Sequence, residues 1–166
     1  MRREPTLAFV IPCFNEEAAL HMTADVLKKK MIQLENSQAV ARDSFVIFVD
    51  DGSHDKTWDV ITSLHEKDPS LFRGVKLAHN RGHQNALFAG LMHALSMNVD
   101  AVVSMDADLQ DPPEIISEMI KYWEQGYDDV YAKRRSRDGE TWLKRKTSEV
   151  FYRILQKSTK IKIQQD

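Results

Sequence analysis

Cysteine occurs once in this chain, at Cys13, which excludes an internal disulfide framework and fits a reducing compartment. Long apolar runs are also missing. None approaches the roughly 18–20 residues needed to span a bilayer. The opening MRREPTLAFVIPCFNEE holds an apolar run too short for a signal peptide, and no small-residue cleavage site follows it. There is no internal repeat, low-complexity tract or interdomain linker, and residues 37–43 read as an ordinary loop. What remains is one globular domain of 166 residues, 42% hydrophobic and 29% charged, expected on the cytosolic side.

The formal net charge of -2 conceals an asymmetry. Lys133, Arg134, Arg135, Arg137, Lys144, Arg145, Lys146, Arg153, Lys157, Lys160 and Lys162 place eleven of the 23 basic residues in one stretch, opposed there by Asp138, Glu140 and Glu149. Such a segment suits an anionic partner (phosphate groups or a membrane surface) as well as it suits a solvated helix face. Its sparse aromatic interleaving argues against nucleic acid.

Apolar, β-rich runs alternate with helix-like stretches. Strands are expected at 7–13, 44–50, 74–79, 100–106 and 128–133, and helices at 16–36, 55–67, 83–97, 113–125 and 140–158. The strands are apolar throughout rather than alternating, which predicts burial on both faces. The fold class is therefore α/β, an open, mostly parallel sheet with helices on both faces. Ligands of such sheets bind beyond the carboxyl ends of the strands. The unusual residues lie there: Asn15-Glu16, Asp50-Asp51-Gly52-Ser53, Asn80-Arg81-Gly82, Asp106-Ala107-Asp108 and Lys133-Arg134-Arg135.

In VVSMDADLQDPPE, residues 102–114, Asp106 and Asp108 are hard oxygen donors at a strand end, with Gln110 and Asp111 following. Mg²⁺ or Mn²⁺ is bound through one or two carboxylates plus substrate phosphates. Asp111 also suits a cap for the helix opened by Pro112-Pro113. In VDDGSHDKT, residues 49–57, Gly52, Ser53 and Asp55 are explained by turn and capping chemistry. Two acids at the end of a buried strand, Asp50 and Asp51, require a compensating partner. His79 and His83 lack zinc spacing and have no second cysteine to help. Arg81 suits a phosphate or a surface ion pair equally.

Taken in order, VIPCFNEE, VDDGSHDKT, HNRGHQNALFAG, MDADLQDPPE and YAKRRSRDGETWLKRK resemble the family 2 inverting glycosyltransferases of the nucleotide-diphospho-sugar transferase (GT-A) fold. The likeness runs from about residue 7 to the end, and is to the branch of polyprenol- and dolichol-phosphate glycosyltransferases that includes bactoprenol glucosyltransferases. It implies that Pro12, Phe14, Glu16, Val49 and Asp51 line a nucleotide pocket, and that Asp106 and Ala107 contact ribose and diphosphate. By the same resemblance Asp108 and Gln110, with Asp106 beside them, hold Mg²⁺ or Mn²⁺. Arg134 and Arg145 would meet the diphosphate or the acceptor's phosphate. Phe14 stands where the family has an aromatic, often Tyr, and Ala132 stands where Gly is frequent. The implied partners are a nucleotide-sugar donor, a polyprenyl-phosphate acceptor and a membrane surface. The implied chain is a catalytic domain that stops before an acceptor segment and membrane helices. A homo-oligomer is left open by the residues. So are two other functions: a nucleotide-sugar-binding fragment without turnover, and an aspartyl phosphotransferase or receiver-type domain, against which Leu109-Gln110 and the basic cluster 133–135 speak.

Overall fold

The computed structural model describes residues 3–110 and 112–132. Residues up to Asp128 form one compact unit, and of a second, Asp129–Asp166, only 129–132 are described. Four strands, β1 (Leu7–Cys13), β2 (Phe45–Asp50), β3 (Phe72–Lys76) and β4 (Ala101–Ser104), pair in parallel in the order β3-β2-β1-β4. Between and after them run α1 (Leu20–Asn36), α2 (Thr57–Lys67), α3 (His83–Ser96) and α4 (Ile116–Glu124), the last entered through a 3-10 turn at Pro113–Ile115.

Every residue of β1 and β2 is buried, as the unbroken apolar runs predict for central parallel strands. Their side chains alternate between two cores. Leu7, Phe9 and Ile11 of β1, with Val46 and Phe48 of β2, pack with Leu27 and Met31 of α1, Ile61 of α2 and Ile116 of α4. Ala8, Val10, Phe45, Ile47 and Val49 pack with Ala86 and Ala94 of α3. The two-faced cover expected from the sequence is thus present. Chain order runs outward from β1 to β3 on one side and resumes with β4 on the other. That reversal opens a crevice beyond the carboxyl ends of β1 and β4, where ligands of doubly wound sheets bind. A receiver-type domain has the order 2-1-3-4-5, so this reading is excluded by the topology.

Four boundaries differ from expectation, each for a physical reason. α1 begins at Leu20 rather than 16, because the amides of residues 15–17 are committed to side chains of the neighbouring loop. β3 occupies 72–76 rather than 74–79: it pairs with β2 from Val46↔Phe72 to Asp50↔Lys76, and beyond that β2 has ended. β4 covers 101–104 rather than 100–106. Asp100 is turned aside to accept hydrogen bonds from the Thr6 amide at 2.8 Å and Arg3 Nη2 at 3.1 Å. Residues 128–132 of the expected fifth strand contain no strand; Asp128 and Asp129 are poor strand formers. The basic helix expected at 140–158 lies outside the described residues.

α3 approaches the sheet closely at Gly90. A Cβ there would overlap Val10 Cγ1 and lie 2.8 Å from Val49 Cγ2. Overpacking of this kind costs about 1–3 kcal/mol, against which the better helix propensity of Ala returns about 1 kcal/mol. Gly90→Ala is therefore expected to lower stability by about 1 kcal/mol in urea denaturation. An unchanged or raised midpoint would show that α3 rests further from the sheet.

Candidate active site

One cavity of about 460 Å³ opens beyond the strand ends. Pro12, Cys13, Phe14 and Glu16 wall it from the end of β1, Asp51 from β2, and Asp106, Ala107 and Asp108 from β4. Asn80, Gly82, His83 and Ala86 close it from the start of α3. Seven sequence-predicted residues, Pro12, Phe14, Glu16, Asp51, Asp106, Ala107 and Asp108, are brought together here. Val49 is fully buried beneath α3 and is not among the lining residues. Gln110 also stands outside the lining, with its amide turned to Asp108. Arg134 and Arg145 lie outside the described residues.

Asp51 is 3% exposed, and its carboxylate accepts the backbone N–H of Arg81 at 2.7 Å and of Gly82 at 2.8 Å. This is the compensating partner that a buried acid requires. Gly52, at φ +69, permits the approach: a Cβ there would sit 2.5 Å from the His79 carbonyl carbon and 2.6 Å from the Asn80 nitrogen. Asp50 is likewise buried. Its Oδ1 accepts the Ser53 N–H at 2.9 Å, and its Oδ2 has no hydrogen-bond partner among the described residues.

The β1–α1 and β2–α2 loops are laced together by side chain to backbone bonds. Ser53 Oγ accepts the Asn15 N–H at 2.9 Å, and Thr57 Oγ1 accepts the Glu16 N–H at 2.8 Å. In return Asn15 Oδ1 accepts the His54 N–H at 2.9 Å and Glu17 Oε2 the Lys56 N–H at 2.8 Å. Asn15, at φ 56, is one of the residue types that tolerates the left-handed region. Asp55, expected as the N-cap of α2, stands just ahead of the cap position at Lys56. It accepts bonds from the amide and hydroxyl of Thr57 and from the Glu17 amide. Burial alone would raise the Asp55 carboxyl, but these bonds outweigh it and hold the group below its ordinary range.

The chain turns between Asp106 and Leu109. The Leu109 N–H donates to the Asp106 carbonyl at 3.3 Å, and Leu109 takes φ 55. Ala107 is buried, its carbonyl accepting the Thr23 hydroxyl of α1 at 2.5 Å. Asp106 and Asp108 both face the cavity. Asp108 accepts the Gln110 amide N–H at 3.1 Å and Gln110 Nε2 at 2.6 Å, which fixes its orientation. His83 Nε2 lies 3.8 Å from Asp106 Oδ1. Burial raises the Glu16 carboxyl, with further contributions from the carboxylates of Asp108 and Asp55. Burial likewise raises the Cys13 thiol, and Glu16 and Asp50 add to it, so this cysteine stays a protonated, unreactive wall residue.

Among the described residues no group of three or more His, Cys, Asp or Glu converges as a ready-made metal cage. Two carboxylates on one wall of an open cavity are still the donor set that fits Mg²⁺ or Mn²⁺, which complete their octahedra with water and ligand phosphates. Thr23, Thr57 and His83 were given no site role from the sequence. Their roles depend on partners 23 to 84 positions away, and no local pattern announces such pairings.

The Glycosyl transferase family 2 model matches residues 8–166. The chain belongs to that family. Uncharacterized glycosyltransferase YkoT of Bacillus subtilis is 42% identical over 154 residues, covering 93% of this chain and 45% of YkoT. The prophage bactoprenol glucosyl transferase homolog of Escherichia coli is 38% identical over 160 residues, covering 96% of this chain and 49% of the homolog. This family 2 chain thus spans about half the length of the curated relatives it matches. Mannosyltransferase PcManGT of Pyrobaculum calidifontis, solved with GDP-Man and Mn²⁺, is 24% identical with a TM-score of 0.54, covering 92% of this chain and 39% of that one. TarS of S. aureus is 16% identical with a TM-score of 0.52, over 82% of this chain and 24% of TarS. Both share the fold, and the GT-A architecture expected from the motifs is the one found. Among the described residues no helix is long and apolar enough to cross a membrane.

Two predictions follow from the bonding. Asp51→Ala removes the acceptor of the Arg81 N–H and one of two acceptors of the Gly82 N–H, which Asn80 Oδ1 also accepts at 3.0 Å, and is expected to cost about 1–3 kcal/mol, with faster hydrogen exchange at Arg81 and Gly82. A loss below 1 kcal/mol would mean that water replaces the carboxylate. Asp55 has a folded pKa below its unfolded value of about 3.9, so it stabilises the fold above about pH 4. That contribution disappears as pH falls through the folded pKa. The stability difference between wild type and Asp55→Asn is expected to be wide at pH 7 and to close below about pH 4. A difference independent of pH would contradict this.

Proposed function

We propose that the chain binds a nucleoside-diphosphate sugar in the cavity, together with Mg²⁺ or Mn²⁺, and transfers the sugar with inversion to a polyprenyl phosphate at a membrane surface. One observation carries the reading: seven residues that the family pattern marks for donor binding line a single cavity at the sheet's switch point. The names of the bactoprenol glucosyl transferase relatives support the acceptor.

In this reading Phe14, 40% exposed at the rim, offers a face to the nucleobase beside Pro12 and Glu16. Asp51 holds the loop before α3 and can still accept from the ligand through remaining lone pairs. Asp106 and Ala107 meet ribose and diphosphate. Asp108, with Asp106 beside it, would hold the divalent ion, and Gln110 would orient or join it. When bound, that ion supplies Lewis-acid stabilisation of the departing nucleoside diphosphate. Arg134 and Arg145 would neutralise phosphate charge, and Val49 supports the floor from below. A sugar hydroxyl acceptor needs a general base; a lipid phosphate is already anionic, which suits a site whose carboxylates are occupied with binding. The basic residues from Lys133 to Lys162 suit an anionic lipid surface. The chain as a whole acts as a family 2 catalytic domain.

Calorimetric titration of UDP and GDP, with Mn²⁺ and then with EDTA, tests the donor site. One nucleotide is expected to bind, with metal only, and Asp108→Asn to weaken it at least tenfold, about 1.4 kcal/mol. Unaltered metal-dependent binding in Asp108→Asn would overturn the metal assignment. Transfer of radiolabelled sugar to polyprenyl phosphate separates an enzyme from a fragment that only binds its donor.

A further inference from the structure

One of the four described helices differs from the rest in a way that the candidate active site does not use. α1, α2 and α4 each carry acidic and basic residues, whereas the 14 residues of α3, HQNALFAGLMHALS, include no Asp, Glu, Lys or Arg. In a chain with 29% charged residues that composition calls for a reason. α3 turns Ala86, Gly90 and Ala94 to the sheet. On its other side Phe88 is 63% exposed, Met92 48% and Leu95 64%, with Leu91 half-buried beside them. The positions 88, 91, 92 and 95 follow i, i+3, i+4 and i+7, the stripe by which one helix packs on another. A helix that is apolar on both sides is normally covered on both. Among the described residues nothing covers Phe88, Met92 and Leu95.

Charge and symmetry select the occupant. An anionic lipid surface or a nucleic acid is recognised through lysine and arginine, and α3 offers neither. A second copy of the same face brings residues near their own duplicates, so like charges would oppose one another, and α3 has none to oppose. The stripe also has the same spacing read from either end. Phe88 stands three residues before Leu91, and Leu95 three after Met92. A two-fold axis between Leu91 and Met92 therefore sets Phe88 of each copy against Leu95 of the other. Self-complementarity of this kind is what an isologous pair requires. A seam between two helices about 21 Å long covers on the order of 300–600 Å² per copy, less than the roughly 800 Å² per partner of stable complexes. The pair is therefore weak and depends on concentration.

We propose that α3 is a self-association surface, through which two copies of the chain pair antiparallel along Phe88, Leu91, Met92 and Leu95. Sedimentation velocity of the chain from about 5 to about 500 μM is expected to show a monomer–dimer equilibrium, as a small interface gives. Met92 lies beside the axis and meets its own duplicate, so Met92→Glu and Met92→Lys are each expected to remain monomeric over that range. Their thermal midpoints are expected to match the wild type, because the side chain points away from the sheet. An equimolar mixture of the two variants is expected to restore the dimer, a result that only pairing between copies produces. A wild type that is monomeric throughout would overturn the proposal, as would a dimer that Met92→Glu leaves intact or a mixture that stays monomeric. A monomeric wild type whose thermal midpoint falls on Met92→Glu would show the stripe covered within its own chain, which also overturns it. Flotation with vesicles of phosphatidylglycerol and phosphatidylcholine is the last arm. Vesicle binding that Met92→Glu abolishes, in a chain that does not self-associate, would assign the face to lipid instead.

Discussion

The carboxylate of Asp51 is the contact on which the walls of the site depend. It ends β2 inside the protein, where an unpaired charge would cost several kcal/mol, and the loop before α3 supplies the two N–H groups that compensate it. In return the Arg81 amide gains an acceptor, and the Gly82 amide is shared between Asp51 and Asn80 Oδ1. Gly52 makes the contact sterically feasible by letting the two backbones meet where a side chain would intrude. Through this one bond pair the end of the central sheet fixes where α3 begins. The start of α3 in turn fixes His83 against Asp106.

The other walls are held by the same kind of bond: a short polar side chain satisfying backbone across a long sequence separation. Ser53, Thr57, Asn15 and Glu17 lace two loops that have no regular structure of their own. Thr23 does the same for Ala107 from the first turn of α1. Leu109 in the left-handed region costs about 1–2 kcal/mol, and the anchored Ala107 carbonyl helps the turn persist. The result of that strain is useful. Asp106 and Asp108 share the cavity wall, and the turn at Leu109 brings Gln110 back onto the Asp108 carboxylate.

The sheet was legible in the sequence because β1 and β2 are apolar at every position and their burial follows from composition alone. α3 was legible to within a residue of its observed end, since Gly82 and the small residues Ala86 and Gly90 mark its start and its packing face. The third strand was misplaced by two residues because Phe72 and Arg73 give no local signal that β2 needs a partner there. The early start expected for α1 had the same origin: nothing near Asn15 and Glu16 shows that Ser53 and Thr57 claim their amides. Of the site, the acidic pairs were visible as residues out of place at strand ends. The occupation of Asp51 by backbone, the retreat of Val49 beneath α3 and the approach of His83 to Asp106 were not, because each is a fact about packing between distant segments.

The cavity's charge constrains how it can be filled. Glu16, Asp51, Asp106 and Asp108 line it, and His83 is the only lining side chain able to carry positive charge among the described residues. Burial raises the Glu16 carboxyl, and the carboxylates of Asp108 and Asp55 add to it. A diphosphate brought alone into this field would meet repulsion from the four lining carboxylates. Brought with a divalent cation it replaces that repulsion with shared coordination, and Asp108 is held for the purpose by two bonds from Gln110. In the proposed reading metal and anionic ligand would bind this site as mutually dependent partners, each supplying the charge the other needs.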